Sequence, residues 1–275
     1  MLRAGTEILA MSEHDTIGAA IPAAAAQALQ QRLAAVEAEL REQGRQQQAL
    51  AQGISHDLRA PLRSIDSFAM LLGQHLQGAL DDTGREHLHR IRDAAARMGA
   101  LLDSLQQLSQ AGRNPLRHAS VDLSMLADWV GAELQDAEPG RAAQVVVAPS
   151  LSAWGDEQLL KGMLAQLLDN AWKFSRTRER VEITVEGEVV GDRLQLRIRD
   201  RGIGFDARYA DKLFEPFQRL HGTEEGAGAG VGLAIAQCIA RRHGGRIRAE
   251  STLGVGSVFH VELPIAAPRE MQTDG

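Results

Sequence analysis

The stretch LHRIRDAAARMGALLDSLQQL, residues 88–108, decides the architecture of the first part of this chain. Its apolar residues recur at alternating intervals of three and four positions, at Leu88, Ile91, Ala95, Met98, Leu102 and Leu105. This spacing lays one narrow apolar stripe along a helix, as in coiled coils and helical bundles. We therefore predict a helix over residues 84–111.

A second, longer helix is predicted over residues 24–79 from an earlier apolar stripe. The stripe includes Leu29, Leu33, Val36, Leu40, Leu50, Ile54, Leu58, Leu62, Ile65, Leu72 and Leu76. The connection QGALDDTG, residues 77–84, is short and rich in turn formers, which makes the two helices antiparallel neighbours. Two helices cannot bury such regular stripes alone. We expect a dimeric four-helix bundle, with a monomeric hairpin docked on the rest of the chain as the alternative.

The second part of the chain predicts an α+β fold. Strands are expected at residues 145–147, 181–185, 194–198, 246–250 and 258–261, and helices at 122–136, 156–175 and 230–243, with Asp156 as the N-cap of the second. Gly112 followed by Pro115 marks a helix end and a linker. The predicted organisation is a flexible leader (1–23), a helical hairpin (24–111), a linker (112–116), a two-layer sandwich (117–265) and a tail (266–275).

Composition excludes several classes of protein. The chain has 275 residues and a net charge of −6, from 30 basic and 36 acidic residues, which argues against nucleic acid or anionic lipid as the main partner. One cysteine, Cys238, provides neither an internal disulfide nor a zinc cluster and fits a reducing cytoplasm. No apolar run of membrane-spanning length and no signal peptide is present. We expect a cytoplasmic protein.

The first candidate for chemistry is SHDLRAPLR, residues 55–63, inside the long helix. With the apolar stripe facing a helical partner, His56 is expected to point toward solvent, where its imidazole can act as a nucleophile. Asp57 follows it and could accept the proton of the other ring nitrogen. Pro61 removes a helix hydrogen bond and predicts a kink one turn later. By itself, a single exposed histidine on such a helix is more commonly a solvated surface residue.

Three further motifs lie in the second part. In LLDNAWKF, residues 167–174, Asn170 and Lys173 share a helix face that could ligate Mg²⁺ and reach phosphate. In DRGIGF, residues 200–205, the carboxylate of Asp200 can accept from an exocyclic amine. GAGAGVGLAIA, residues 226–236, is a glycine-rich loop entering a helix whose amides can bind phosphate, although it is neither a Walker A nor a Rossmann motif. Singly, these motifs also suit a polar helix face, a turn and a flexible linker.

Their order is more specific than any one of them. SHDLRAPL, LLDNAWKF, DRGIGF, LFEPFQRL and GAGAGVGLAIA together resemble the sensor histidine kinases of two-component systems, over residues 50–265. The sequence around His56 is most similar to that of kinases attached to bacterial phytochromes and of related soluble PAS-linked kinases. The resemblance implies a HisKA-type dimerisation and phosphotransfer bundle followed by a GHKL-type (Bergerat) ATP-binding domain.

The resemblance also implies roles for individual residues. His56 would be the phosphoacceptor with Asp57 as its adjacent acid, Asn170 would coordinate Mg²⁺, and Asp200 would hydrogen-bond the adenine amino group. Residues 215–229 would form a mobile ATP lid. The other positions assigned to nucleotide binding are Lys173, Phe174, Gly202, Gly204, Phe214, Phe217, Arg219, Gly228, Gly230, Gly232 and Leu233.

The function implied is an ATP- and Mg²⁺-dependent histidine autokinase that acts as a homodimer. Because no receiver or sensor segment is recognisable, we expect its phosphoryl acceptor to be an aspartate of a separate response regulator. Its input is expected from a separate protein. The alternatives are a GHKL-type ATP-binding switch, a serine kinase, or a scaffold that does not autophosphorylate.

Three positions depart from the family pattern. Gln166 stands where the magnesium motif usually has Asn and gyrase-like ATPases have a Glu general base, so transfer is favoured over hydrolysis. Ala60 stands where relatives with phosphatase activity carry Thr or Asn, which predicts weak dephosphorylation of the partner. In the glycine-rich box, Ala229 and Val231 replace the frequent Thr and Leu, a mild change.

Overall fold

A computed structural model describes residues 23–76, 78–112, 115–218 and 229–267. Contacts divide the chain into two compact units, Met1–Ala49 and Leu50–Gly275. The predicted helices are confirmed as α1 (Ala23–His75) and α2 (Asp82–Ala111). Asp81 caps α2 by accepting the Gly84 N–H at 2.7 Å. In the first unit, the described stripe residues Leu33 and Val36 are more than half exposed.

In the second unit, α1 and α2 bury few residues against each other. A small buried cluster of Leu62, Ala95 and Leu102 joins the two helices, and Arg59 bridges to Asp103 at 2.8 Å. Among the α1 residues whose side chains the structure describes, the buried ones are Ser55, Leu62 and Ala69, which recur every seven positions. We had expected Ile54 and Leu58 on the buried stripe, but they are 54% and 43% exposed. One antiparallel neighbour covers only a narrow face of a helix, so a single hairpin leaves most of the predicted stripe uncovered.

The α/β region follows α2. Its elements are β1 (Ala119–Asp122), α3 (Leu123–Ala137), β2 (Ala143–Val147), β3 (Ser152–Gly155), α4 (Glu157–Lys173), β4 (Val181–Val190), β5 (Arg193–Asp200), α5 (Gly232–Arg242), β6 (Arg246–Thr252) and β7 (Gly256–Pro264). Two short 3-10 helices, Ala207–Tyr209 and Asp211–Phe214, lie between β5 and α5. The main sheet has the order β2-β4-β5-β7-β6, with β2 and β4 parallel and the other neighbours antiparallel. The predicted α+β fold is confirmed.

The pair β1 and β3 was not predicted. These strands form a separate antiparallel two-stranded sheet, and each has only four residues. Strands this short show too little alternation of apolar and polar side chains to be recognised from sequence.

The core lies between the main sheet and the helices. Alternate residues of the central strands are fully buried, among them Ile183 in β4 and Leu196 in β5, and they form one cluster with Leu164 and Leu168 of α4. Each such burial contributes about 1.5–3 kcal/mol. The opposite face of the sheet is polar, as where Arg197 bridges to Glu186 and Glu188. The α/β region is therefore a two-layer sandwich.

A polar junction holds the start of α4. Asp156 caps that helix, as predicted, by accepting the Leu159 N–H at 3.1 Å. Its carboxylate also accepts the Arg117 N–H, from the segment between the linker and β1, at 3.0 Å, and its own N–H donates to Nε2 of His243 at 3.0 Å. Arg242 donates to the carbonyl of Ala111, the last residue of α2, at 2.7 Å. The start of the α/β region, α2, α4 and α5 thus meet at one place. Among the described segments, no helix combines the length and apolarity needed to span a bilayer.

Candidate functional site

Three motifs that lie far apart in the sequence meet along the C-terminal half of α4. Helices α4 and α5 pack together, and a Cβ placed on Gly232 at the start of α5 would lie 2.4 Å from Oε1 of Gln166 in α4. The loop after β5 joins the same end of α4, because the Ile203 N–H donates to the Phe174 carbonyl at 2.9 Å. The segments that carry Asn170, Asp200 and Gly232 therefore converge.

Asp200 is the buried acid of this site. It ends β5 and is only 4% exposed. Its Oδ1 accepts the N–H of Gly202 at 2.8 Å and the N–H of Ser257 at 3.2 Å. Burial raises the pKa of the Asp200 carboxyl, and the hydrogen bonds from Gly202 and Ser257 oppose that rise. A desolvated carboxylate held in place by backbone amides is a functional-site candidate.

The loop next to Asp200 requires glycine at two positions. Gly204 has φ +65°, and a Cβ there would lie 2.2 Å from the Thr252 carbonyl oxygen. At Gly202, a Cβ would lie 2.5 Å from the Phe174 carbonyl oxygen. Both obstacles are backbone atoms, which cannot rotate away. The loop therefore fits between α4 and the β6–β7 turn only because these side chains are absent.

The end of α4 supplies polar groups suited to a metal–phosphate ligand. Asn170 and Lys173 lie one turn apart and are half-buried. The Lys173 Nζ atom is 2.5 Å from Oδ2 of Asp169. Within the described residues, no group of three or more His, Cys, Asp or Glu side chains could hold a metal ion. The amide oxygen of Asn170 could ligate Mg²⁺ together with phosphate oxygens of a bound ligand.

The glycine-rich segment and the LFEPF motif flank residues 219–228. Phe214 is buried and belongs to the core, and Leu233 packs against that core. Phe217 is 55% exposed, has φ +66°, and donates its N–H to the Gly230 carbonyl at 2.8 Å. Arg219 and Gly228, both predicted site residues, lie outside the described residues.

The phosphoacceptor candidate lies on α1. The structure places the backbone of His56 in the helix between buried Ser55 and exposed Asp57, and its side chain lies outside the described part. The hydroxyl of Ser55 is buried and makes no hydrogen bond with any described group. Ala60, one turn further, is exposed.

The sequence prediction missed several residues of the site. Ser257 belongs to GVGSVF, residues 254–259, for which we predict no role, and its N–H donates to Asp200. Thr252 packs its carbonyl against Gly204. Arg178 donates to the Gly202 carbonyl at 3.0 Å. Most of these contacts are made by backbone atoms, which leave no residue-type signal in a sequence.

Two family models match separate parts of the chain. The His Kinase A (phospho-acceptor) domain matches residues 46–114, which include His56. The histidine kinase-, DNA gyrase B-, and HSP90-like ATPase family matches residues 155–267, which include Asn170, Asp200 and Gly232. The chain belongs to the histidine kinases.

Curated relatives agree with this assignment. The kinase chain is 29% identical to cyanobacterial phytochrome A of Nostoc over 221 residues, which are 80% of this chain and 29% of that protein. It is 32% identical over 222 residues to the circadian input-output histidine kinase CikA of Synechococcus elongatus, with 77% of this chain and 29% of that protein covered. The chain thus spans less than a third of the length of these relatives.

Solved structures share the fold. Full-length ShkA, crystallised in complex with AMPPNP, is 26% identical with a TM-score of 0.58, and the match covers 79% of this chain and 46% of that one. The Acinetobacter baumannii histidine kinase AdeS has a TM-score of 0.52 at 22% identity, over 77% of this chain and 98% of that one.

Proposed function

We propose that this chain is an ATP-dependent protein histidine autokinase whose phosphoacceptor is His56. The observation that carries the proposal is the convergence of the Asn170, Asp200 and Gly232 segments along the C-terminal half of α4, in a chain that also bears SHDLRAPL on α1. ATP binding is supported by the family match of the α/β region and by the nucleotide complex of the related ShkA.

Asp200 would recognise the base of ATP. A buried carboxylate fixed by the Gly202 and Ser257 amides is oriented to accept the adenine amino group. The absence of side chains at Gly202 and Gly204 lets the loop backbone lie close beside the base.

Polar groups at the other end of the site would hold the triphosphate. Asn170 would hold Mg²⁺, which neutralises phosphate charge when bound. Lys173 would exchange its contact with Asp169 for a phosphate oxygen. The backbone amides in the first turn of α5, which begins at Gly232, would donate to phosphate oxygens. In this proposal residues 215–229 are the lid. Arg219 and Gly228 within it, and Gly230 directly after it, would contact the phosphates.

The transfer step moves the γ-phosphoryl group of ATP to the imidazole of His56. A ring nitrogen forms the new N–P bond, the P–O bond to ADP breaks, and Asp57 accepts the proton from the other ring nitrogen. The resulting phosphoramidate has a high transfer potential. The N–P bond then breaks as an aspartate carboxylate of a response regulator takes the phosphoryl group, and the proton held by Asp57 returns to the imidazole of His56.

The homodimer proposal rests on the uncovered apolar stripe of the hairpin. Large apolar side chains on both helices are 40% exposed or more, namely Ile54, Leu58, Ile65, Phe68, Met70, Leu71, Leu72, Ile91 and Met98. Packing against a second copy would bury them and complete a four-helix bundle. The proposed functional parts are the bundle (24–111), the linker (112–116) and the catalytic domain (117–265). The kinase would act in the cytoplasm, where ATP and response regulators are available. The separate input protein stays a prediction.

Gln166 and Ala60 shape the expected activity. Gln166 cannot take a proton from water, and an amide at this position therefore favours transfer to His56 over ATP hydrolysis. Ala60 has no group that could orient a water molecule. Dephosphorylation of the regulator is accordingly expected to be weak.

Phosphate incorporation from γ-³²P-ATP tests the proposal. We expect acid-labile, base-stable label that is lost in His56→Gln and retained in His87→Gln, an exposed histidine of α2. Acid-stable label would indicate a serine kinase. Steady ATP hydrolysis without label would indicate an ATPase switch, and ATP binding or partner binding without either would indicate a scaffold.

A further inference from the structure

An arginine outside the family motifs connects two loops of the nucleotide site. Arg178 lies in the connection between α4 and β4. Its Nη2 atom donates to the Gly202 carbonyl at 3.0 Å and to the Gly254 carbonyl at 2.5 Å. The first acceptor belongs to the loop after β5, and the second belongs to the turn between β6 and β7.

The same two loops are also joined directly. The Gly254 N–H donates to the Ile203 carbonyl at 2.6 Å, and the Ile203 N–H donates to the Phe174 carbonyl at 2.9 Å. Arg178 adds a side-chain clamp to this backbone ladder, from the loop that directly follows α4. The end of α4, the loop after β5 and the β6–β7 turn are thus held as one unit.

Arg178 contacts Gly202, the residue whose amide fixes the buried carboxylate of Asp200. The carbonyl of Gly202 accepts from Arg178, while the N–H of Gly202 donates to Oδ1 of Asp200. A shift of Gly202 would therefore move an amide that fixes the Asp200 carboxylate. The other amide that donates to the Asp200 carboxylate is the Ser257 N–H. Ser257 lies at the start of β7, next to the β6–β7 turn that accepts the second hydrogen bond of Arg178.

We propose that Arg178 is a positioning residue that sets the affinity for ATP by holding the loop of residues 200–204 in place. The inference rests on the proposed binding of ATP at Asp200. Arg178 itself is exposed, and its acceptors are the backbone carbonyls of buried Gly202 and exposed Gly254. Its loss should consequently weaken nucleotide binding more than it weakens the fold.

The test compares Arg178→Gln with Arg178→Lys and with the control Arg180→Gln, which changes an exposed arginine two positions away. The full chain is titrated with Mg²⁺-ATP by calorimetry, and KM and kcat for autophosphorylation are measured. We expect Arg178→Gln to raise Kd and KM about tenfold with kcat at saturating ATP unchanged. Arg178→Lys should recover part of the affinity, because its ammonium still donates, and Arg180→Gln should leave all three constants unchanged.

Equal Kd values for Arg178→Gln and the native chain would overturn the inference, as would a fall in kcat with unchanged KM. If Arg178→Gln does not fold, Arg178→Met replaces it, since methionine keeps the aliphatic stem without a donor. Failure of both to fold also overturns the inference, because it assigns Arg178 to the fold. Absence of ATP binding in the native chain would instead refute the proposed function.

Discussion

The two parts of the second unit, the α1–α2 hairpin and the α/β region, bury their apolar residues to very different extents. In the α/β region, Leu164 and Leu168 are completely buried. On the hairpin, Ile65 is 50% exposed and Phe68 is 70% exposed. The α/β region closes its core within one chain, whereas the hairpin presents an apolar surface that needs a partner. Stability and association should therefore respond to mutations in different places.

The largest effect is expected from Leu164→Ala. This change opens a cavity in the closed core and should cost about 2–5 kcal/mol of unfolding free energy. The matched change Ile65→Ala on the hairpin should cost much less in the monomer, because that side chain is already half exposed. Denaturant unfolding followed by circular dichroism measures both. Similar losses for the two variants would contradict the contrast between the regions.

The next largest effect is expected from Ile65→Glu. A carboxylate on the apolar stripe would be desolvated in a dimer and should raise the dimer dissociation constant by about 100-fold or more. Sedimentation equilibrium measures the change, with Arg63→Glu, an exposed position of α1, as the control. ATP binding should persist in the resulting monomer. An unchanged dimer dissociation constant, or a native chain that does not dimerise, would show that this apolar stripe is not a dimer interface.

A smaller effect, confined to the α/β region, is expected from Asp200→Asn. The amide oxygen can still accept from Gly202 and Ser257, but the charged acceptor for the adenine amino group is lost, and ATP should bind about 10- to 100-fold more weakly. Because folding raises the pKa of Asp200, its proton stabilises the fold only below that pKa, and at neutral pH the buried charge costs stability.

The Asp200→Asn variant should thus unfold at the same or a higher Tm at neutral pH. In the native chain, ATP affinity should fall with decreasing pH at values above the ordinary aspartate pKa. Calorimetric titration of ATP across pH, together with thermal unfolding, checks both statements. If Asp200→Asn binds ATP with native affinity, Asp200 is not part of the ATP-binding site.

The smallest effect concerns His243, at the junction of α4, α5 and the segment before β1. Burial lowers its pKa, and its neutral ring accepts the Asp156 N–H. A lowered histidine pKa contributes stability that is present above the ordinary value of 6.5 and is lost as the pH falls through the lowered pKa. Loss of this hydrogen bond should lower Tm by a few degrees, on the order of 1 kcal/mol.

Thermal unfolding between pH 8 and pH 5 measures this loss for the native chain and for His243→Gln. The variant should show a shallower decline in this range, because glutamine does not titrate. A parallel decline in both proteins would assign the acid sensitivity to other groups.

Local patterns were enough to predict most elements. The bounds of α2 follow from its own apolar repeat and turn, and the start of α4 follows from Asp156, whose capping bond reaches only three residues along the chain. The short strands β1 and β3 escaped prediction because each is stabilised only by the other, across about 30 residues of chain. Exposure of Ile54 and Leu58 likewise depends on what a second helix covers and not on their spacing.

The order of the motifs, the helical stripe and the type of each site residue were determined by the sequence itself, because they depend on residue identity and on spacing along a single element. The tertiary structure alone decided that Phe174, Gly202 and Gly254 meet, that Ser257 supports Asp200, and that Arg178 clamps the site. Each of those contacts joins segments distant in sequence and has a backbone amide or carbonyl as at least one of its partners. Every residue carries the same carbonyl and, apart from proline, the same amide, so only folding determines which of them become partners.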